Sequence, residues 1–248
     1  MFANLNGLVL REARYREADR ILTIFTLQQG KITVKARGAL RKSSHLAAAT
    51  QQLTYSDFTM FYNKDRWSIN EAVIHESFDG LRSDIASLAL GCYIAECIDT
   101  VSMENEPDPA LLQLALNSLY AISRNLYPRK KIKAVFELRL MQVAGYAPDL
   151  RNCCVCGREI PEKPIFLINE GNICCNNCVH HRGNQQILLG DEVLSAMRYI
   201  QNSSAKRIFS FEIEEKALNT LSIATESFLV KSTERILGTL QYYHSVDI

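Results

Sequence analysis

Residues 21–37 read Ile21-Leu22-Thr23-Ile24-Phe25-Thr26-Leu27-Gln28-Gln29-Gly30-Lys31-Ile32-Thr33-Val34-Lys35-Ala36-Arg37. Two runs rich in β-branched residues flank Gln29-Gly30, and runs of this kind around a glycine turn predict a β-hairpin. In the second run, period-two alternation puts Lys31, Thr33, Lys35 and Arg37 on one face and Ile32, Val34 and Ala36 on the other, so a row of cations backs onto a core face. The pattern continues outward. Val9-Leu10 comes before the hairpin, and Thr54 to Tyr62 and Trp67 to Ile74 come after it, joined by the turn signal Asn63-Lys64-Asp65. The longer link from Gly38 to Leu53 is polar, rich in Ser and Ala, and reads as partly helical. Five short antiparallel strands with one insertion predict a small closed barrel of the OB-fold type over residues 1–78, with sandwich and SH3-like arrangements as alternatives.

From Asp79 the apolar period lengthens to that of a helix, with Leu81, Ile85, Leu88, Ala89, Cys92, Ala95 and Cys97/Ile98 on one face and Ser83 or Asp84 as the cap. Further helices are expected after Pro109 to about Ser123, from Lys131 to Ala144 ahead of Gly145 and Pro148, from Asp191 to Gln201, and from Glu214 to Leu240. A Cys-rich segment interrupts them. The expected class is therefore α+β and multidomain: an OB-fold barrel (1–78), the first part of a mostly α-helical domain (79–149), an inserted four-cysteine zinc finger (150–182), and the second part of the helical domain (183–248).

Composition narrows the function. Of 248 residues, 47% are hydrophobic and 22% charged, which are globular proportions. The 28 Lys and Arg nearly balance 27 Asp and Glu, giving a net charge of +1, so attraction to a polyanion has to be local. The N-terminus meets Arg11, Glu12 and Arg14 too early for a secretion signal, and no apolar run is long enough to span a bilayer. The expected location is the cytosol, where six cysteines gathered between Cys153 and Cys178 point to metal or redox chemistry and not to disulfides.

Cys153-Cys154-Val155-Cys156-Gly157 and Cys175-Asn176-Asn177-Cys178 form two C-x2-C knuckles with 18 residues between Cys156 and Cys175. Two such knuckles supply four thiolates at tetrahedral corners, so one structural Zn2+ held by Cys153, Cys156, Cys175 and Cys178 is expected. A redox pair, an iron–sulfur cluster and a vestigial site are the alternatives. Cys154 and Cys174 are read as bystanders, and His180 and His181 as substitute ligands. A closed four-thiolate site has no open position for activating water.

Between Asp19 and Asp57 there is no acid, while Arg20, Lys31, Lys35, Arg37, Arg41 and Lys42 all lie there. With Arg14 and Arg16 they form the expected DNA-binding set, because an unmixed cationic stripe tracks a phosphate backbone, whereas a face kept only for solubility mixes signs. Phe58, Phe61, Tyr62 and Trp67 read either as stacking platforms or as core, with the core reading favoured. A second basic cluster comprises Arg124, Arg129, Lys130, Lys131, Lys133 and Arg139 beside Leu126, Tyr127 and Phe136. It suits an acidic peptide with a hydrophobic end, against the alternative of a solvated helix terminus. No P-loop, nucleophile elbow, zincin or dinucleotide fingerprint occurs, so no catalytic residue is assigned.

Several stretches together resemble the RecO recombination mediators of bacterial DNA repair. They are Arg14-Tyr15-Arg16-Glu17-Ala18-Asp19-Arg20 leading to Gln29-Gly30-Lys31, Ala36-Arg37-Gly38 with Arg41-Lys42, and Phe136-Glu137-Leu138-Arg139-Leu140 running through Gly145-Tyr146-Ala147-Pro148 to the first knuckle. The resemblance spans nearly the whole chain. Cys154, Cys174 and Asn172 depart from its pattern. It implies a non-enzymatic protein that binds single- and double-stranded DNA and anneals complementary strands. It also implies contact with the acidic C-terminal tail of single-stranded DNA-binding protein, and cooperation with RecR to load RecA. A protein-bridging module without DNA binding and a metal-dependent nuclease are the competing readings.

Overall fold

The computed structural model describes residues 1–159, 161–179 and 185–247; His180 and His181 lie outside the described residues. The chain forms two compact units, one of Met1–Arg124 with Leu237–Ile248 and one of Asn125–Ile236. The change of pattern expected at residue 79 is thus a change of secondary structure inside the first unit.

That unit begins with strands β1 (Phe2–Tyr15), β2 (Asp19–Thr26), β3 (Gly30–Ala36), β4 (Tyr55–Asn63) and β5 (Arg66–Glu76). They close into a barrel in the order β1-β2-β3-β5-β4, as expected, but β3 and β5 pair in parallel, which departs from the all-antiparallel expectation; every other pair is antiparallel. Leu5, Val9, Leu22, Ile24, Ile32, Val34, Phe58, Met60 and Ile69 fill it. β1 is much longer than the Val9-Leu10 reading because Asn4, Arg11, Glu12 and Arg14 are exposed and Asn6 is half-buried, and these polar residues dilute its hydrophobicity. Lys64 and Asp65 are consecutively left-handed (φ 47° and 58°), the type I′ geometry whose twist suits a hairpin.

Helices α1 (Ile85–Val101) and α2 (Pro109–Ser123) follow, capped by Asp84, which accepts from the Ser87 amide at 2.9 Å, and by Asp108, which accepts from the Leu111 amide at 2.9 Å. α1 packs on β1. Leu8, Leu10 and Phe25 belong to the outward face of the barrel and yet are fully buried, so the barrel and these helices share a second core. Of the expected stripe, Leu81, Ala89, Ala95, Cys97 and Ile98 are buried, Leu88 and Cys92 are half-buried and Ile85 is exposed; Ala86, Leu90, Tyr93 and Ile94 widen the buried face. Gly30 (φ 63°) lies so close to the linker after α1 that an added Cβ would come within 2.1 Å of the Glu106 carbonyl oxygen.

The second unit holds α3 (Arg129–Val143), a four-stranded sheet of β6 (Asp149–Cys153), β7 (Ile165–Leu167), β8 (Asn172–Cys174) and β9 (Gln186–Leu188), then α4 (Gly190–Asn202) and α5 (Glu215–Thr233). The sheet order is β6-β8-β7-β9. α3 packs against α4 and α5 and is buried from Lys131 through Leu138. A single helix from Glu214 to Leu240 is not what forms. Glu234 is left-handed (φ 50°), α5 stops at Thr233, and the chain re-enters the first unit as α6 (Gly238–Val246). There Leu240 and Tyr243 are buried, and the Thr239 amide donates to Glu96 at 3.0 Å.

Candidate nucleic-acid interface and metal centre

Alternation in β3 stands as read: Ile32, Val34 and Ala36 are buried, while Lys31, Thr33 and Lys35 face out. The outward cations nevertheless differ sharply in what holds them. Lys31 donates to the Asp99 carbonyl at 2.6 Å and lies 3.2 Å from the Asp99 carboxylate. Lys35 pairs with Asp19 at 2.8 Å. Asp19 also accepts from the Gly38 amide at 2.8 Å, and the Lys35 hydrogen bond followed by that amide holds its pKa below the ordinary value. Arg20 donates to the Ala47 carbonyl at 3.0 Å and the Thr50 hydroxyl at 2.9 Å, with Glu12 at 3.3 Å, so it ties the link after β3 onto the barrel. These three cations therefore have internal partners on acids and carbonyls distant in sequence.

Arg14, Arg16, Arg37, Arg41 and Lys42 are exposed, and none of them makes an ion pair among the described residues. Arg16 lies 5.3 Å above the centroid of the Tyr15 ring, and Lys35 lies 5.1 Å from it. Phe58 is core, as favoured, and Trp67 packs partly against the barrel core. Tyr62 covers Trp67 with centroids 4.7 Å apart. Three surface residues escaped the sequence reading: Phe2, which pairs with Phe61 at 5.0 Å, and the exposed Lys64 and Arg66 of the β4–β5 turn. Phe2 had a legible signal in its position, one step out of phase with Ala3 and Leu5.

The second basic cluster is not one exposed patch: Lys131 and Lys133 are buried, Arg129 and Arg139 half-buried, and Arg124 and Lys130 exposed. Lys133 is buried between Glu137 at 2.7 Å and Glu226 at 2.6 Å. Burial alone pushes its pKa down, and the two carboxylates more than offset this, leaving it above the ordinary lysine value. Lys131 lies over the rings of Phe211 at 4.4 Å and Tyr127 at 5.0 Å and donates to the Phe211 carbonyl. Burial lowers its pKa, with Glu212 acting in the opposite direction. Arg139 donates to the carbonyls of Ile200 at 3.1 Å, Gln201 at 2.8 Å and Ser203 at 2.9 Å, clamping the open end of α4. Lys130 is exposed and donates to Asn219 at 2.6 Å, Arg129 is half-buried, and Leu126 is exposed beside them. Arg124, in the first unit, is exposed over the Tyr120 ring.

In the second unit the sulfurs of Cys153, Cys156, Cys175 and Cys178 all lie within 4.8 Å of one another. The end of β6 brings in Cys153, and β8 delivers Cys175 just past its last residue. Gly157 (φ 73°) turns the first knuckle, donating to the Cys153 carbonyl at 2.9 Å, and the Cys178 amide donates to the Cys175 carbonyl at 2.9 Å. Cys156 and Cys175 sulfurs are 3.7 Å apart. Tetrahedral Zn2+ with bonds of about 2.3 Å needs sulfurs roughly 3.8 Å apart, so the donor set fits that ion. Burial raises the Cys153 thiol, but amide donors from Cys156, Cys175 and Val155 outweigh it and bring the pKa to about 6. Burial and the neighbouring Cys156 and Cys153 sulfurs push Cys178 up to about 12. With sulfurs this close, shedding all four protons needs a cation among them, and the cluster could hold one metal ion. Cys154 and Cys174 stand outside the cluster, and Cys174 is buried in the apolar packing beneath it.

Among the described residues no helix is long and apolar enough to cross a membrane. Residues 1–78 match the family model described as Recombination protein O N terminal, and residues 82–241 match Recombination protein O C terminal. The chain is 33% identical over 246 residues to DNA repair protein RecO of Acetivibrio thermocellus, covering 99% of this chain and 98% of that one. It is 28% identical to DNA repair protein RecO of Desulforamulus reducens, covering 96% and 92% of the two chains. With the protein of the same name from Listeria welshimeri it shares 26% identity, covering 97% and 93%.

Proposed function

Because the chain belongs to the recombination protein O family of DNA repair proteins, we propose that it is a DNA-binding recombination mediator and not an enzyme. In this reading it binds single- and double-stranded DNA and anneals complementary strands. With RecR it loads RecA onto DNA coated by single-stranded DNA-binding protein, whose acidic C-terminal tail it contacts. It would act in the bacterial cytoplasm, at the nucleoid during repair.

The observation that carries the proposal is the group of Arg14, Arg16, Arg37, Arg41 and Lys42, exposed and without ion pairs among the described residues, on an OB-type barrel. Cations already neutralised by carboxylates release few counterions on meeting a phosphate, whereas unpaired ones contribute fully to affinity. Lys35 and Arg20 act as braces. They fix Asp19, Gly38 and the following link, so that Arg37, Arg41 and Lys42 project from a held segment. Neutralising two complementary strands at one cationic surface lowers their mutual repulsion, which is the physical requirement for annealing.

Cys153, Cys156, Cys175 and Cys178 would hold one Zn2+, which when bound supplies a structural crosslink and no open coordination position. The thiols would orient the two knuckles, and the apolar residues Ile165 and Leu167 pack against the buried Cys153 and Cys175 side of the cluster.

The test is a titration of single- and double-stranded oligonucleotides at two salt concentrations, with the wild type and with Arg37→Ala/Arg41→Ala/Lys42→Ala. The salt slope should shrink by about 0.9 per lost duplex contact and about 0.7 per lost single-strand contact. Salt-independent or absent binding by the wild type would leave a protein-bridging module, and cleavage in magnesium would make the protein a nuclease.

A further inference from the structure

Phe2 and Phe61 stand together on the outside of the barrel, ring centroids 5.0 Å apart and inclined by 51°. Phe2 is 67% exposed, which is unusual for a large ring on a strand whose alternate residues Ala3 and Leu5 already pack on the core. The strand registers continue this pair into a row: Phe2 lies opposite Phe61, Phe61 opposite Ser68, Ser68 opposite Lys35, and Lys35 opposite Ile21. All of these residues have outward parity. Between the ring of Phe61 and the ammonium of Lys35 only the small Ser68 intervenes, a span of two strand spacings or about 10 Å.

Beyond Lys35 the row meets Tyr15, 40% exposed, with Lys35 5.1 Å from its centroid. On the other side, the β4–β5 turn carries exposed Lys64 and Arg66 immediately past Phe61. The rings of Phe2, Phe61 and Tyr15 thus lie beside the exposed cations Lys64, Arg66 and Arg16, with Lys35, held by Asp19, between them. This is the arrangement that an unpaired strand requires, since its bases offer free π-faces while its phosphates seek positive charge. In a duplex those base faces are covered by stacked neighbours, and the same rings find nothing to stack on.

Resting on the reading that this barrel binds DNA, we propose that Phe2 and Phe61, with Tyr15 beyond Lys35, form a stacking platform for the bases of single-stranded DNA. The platform, and not the cations, makes the barrel prefer unpaired strands to duplex. Phosphate contacts are shared by both forms of DNA, so discrimination between them must come from groups that read the base faces.

The experiment compares an oligo-dT with a hairpin duplex of similar length at fixed salt, using the full chain. Phe2→Ala/Phe61→Ala should weaken oligo-dT binding about tenfold or more, as expected for losing base–aromatic stacking, and change duplex binding by less than about twofold. The salt slope should be unchanged, because no cation is lost. Phe2→Leu keeps the apolar surface and should lose single-strand affinity all the same. Phe2→Trp should retain it and show added fluorescence quenching with oligo-dT that duplex does not produce. Phe2 is exposed, so these single variants remain informative even if removing Phe61 disturbs the fold. Equal weakening for both DNAs, or no weakening for either, overturns the platform while leaving the DNA reading in place. A wild type that binds neither DNA overturns both.

Discussion

The ammonium of Lys31 donates to the backbone carbonyl of Asp99 at 2.6 Å while also lying 3.2 Å from that residue's carboxylate, so one barrel cation is bound to helix α1. Their side chains are only 16% and 21% exposed. The Asn105 amide donates to the Lys31 carbonyl at 3.0 Å, which pins the acidic linker beside it. Lys31 is therefore better placed to hold barrel and helix together than to meet a phosphate. Lys31→Ala should cost about 1–2 kcal/mol of stability, the value of a partly buried charged hydrogen bond, and leave the DNA salt slope unchanged. A urea midpoint and a salt titration on the same variant check this; a slope reduced by about one contact would return Lys31 to the interface.

Lys133 and Glu137 make a similar contrast inside the second unit. Their side chains are 2% and 0% exposed, and Glu226, the second partner of Lys133, is 26% exposed. Lys133→Ala leaves Glu137 charged and buried, and should cost about 3–5 kcal/mol. Lys133→Met combined with Glu137→Met removes both charges and should stay near wild-type stability. The pH dependence has a definite sign. The folded pKa of Lys133 is raised, so its stabilisation is complete below the ordinary value of 10.5 and is lost as pH rises through the higher folded value. The wild type should lose urea resistance in that alkaline range more steeply than the double Met variant.

What the sequence made legible was short-range. The hairpin of residues 21–37 was readable because strand alternation shows in a few consecutive residues, and the metal centre because each knuckle closes over two residues. The partners of Arg20 and Lys31 were harder to see: Ala47, Thr50 and Asp99 lie far away in sequence, and only barrel closure and the return of α1 bring them near, while Lys35 takes Asp19 from the start of the neighbouring strand. A stretch with no acid of its own was therefore partly neutralised from outside. In α3 the i,i+4 spacing of Lys133 and Glu137 was a local clue to a pair, but lysine's usual exposure masked its burial among Glu137 and Glu226. The break between α5 and α6 has no proline to mark it. It becomes intelligible only once Leu237, Leu240 and Tyr243 are seen to bury themselves in the first unit.

Metal loading should be close to one zinc per chain, by the four-thiolate rule. Cys153→Ser/Cys175→Ser should abolish it, while Cys154→Ser should not, since that sulfur stands outside the cluster. Cobalt in place of zinc should give the absorption of a tetrahedral thiolate site. Because the thiols must lose their protons to bind, affinity should fall as pH is lowered. Undiminished zinc in the double Ser variant would reject the ligand set.

For the acidic tail of single-stranded DNA-binding protein, the burial of Lys131 and Lys133 and the commitment of half-buried Arg139 to the α4 carbonyls narrow the proposed site to Arg129 and Lys130 beside the exposed Leu126. An acidic peptide with a hydrophobic end needs cations to steer it and apolar surface to give specificity. Lys130 reaches Asn219 with a single neutral hydrogen bond at 2.6 Å, a contact that a carboxylate can replace with gain. Arg129→Glu with Lys130→Glu should therefore weaken binding of such a peptide at least about tenfold, since reversing two charges turns attraction into repulsion. Lys131→Met should leave peptide affinity alone, because that ammonium is already committed to the Phe211 carbonyl and two rings. Isothermal titration of both variants against the peptide and against an oligonucleotide decides the matter. A parallel loss of peptide and DNA binding would make Arg129 and Lys130 an extension of the DNA surface, and an effect of Lys131→Met as large as that of the charge reversal would mean that the peptide is read through the aromatic cluster of Tyr127, Phe209 and Phe211.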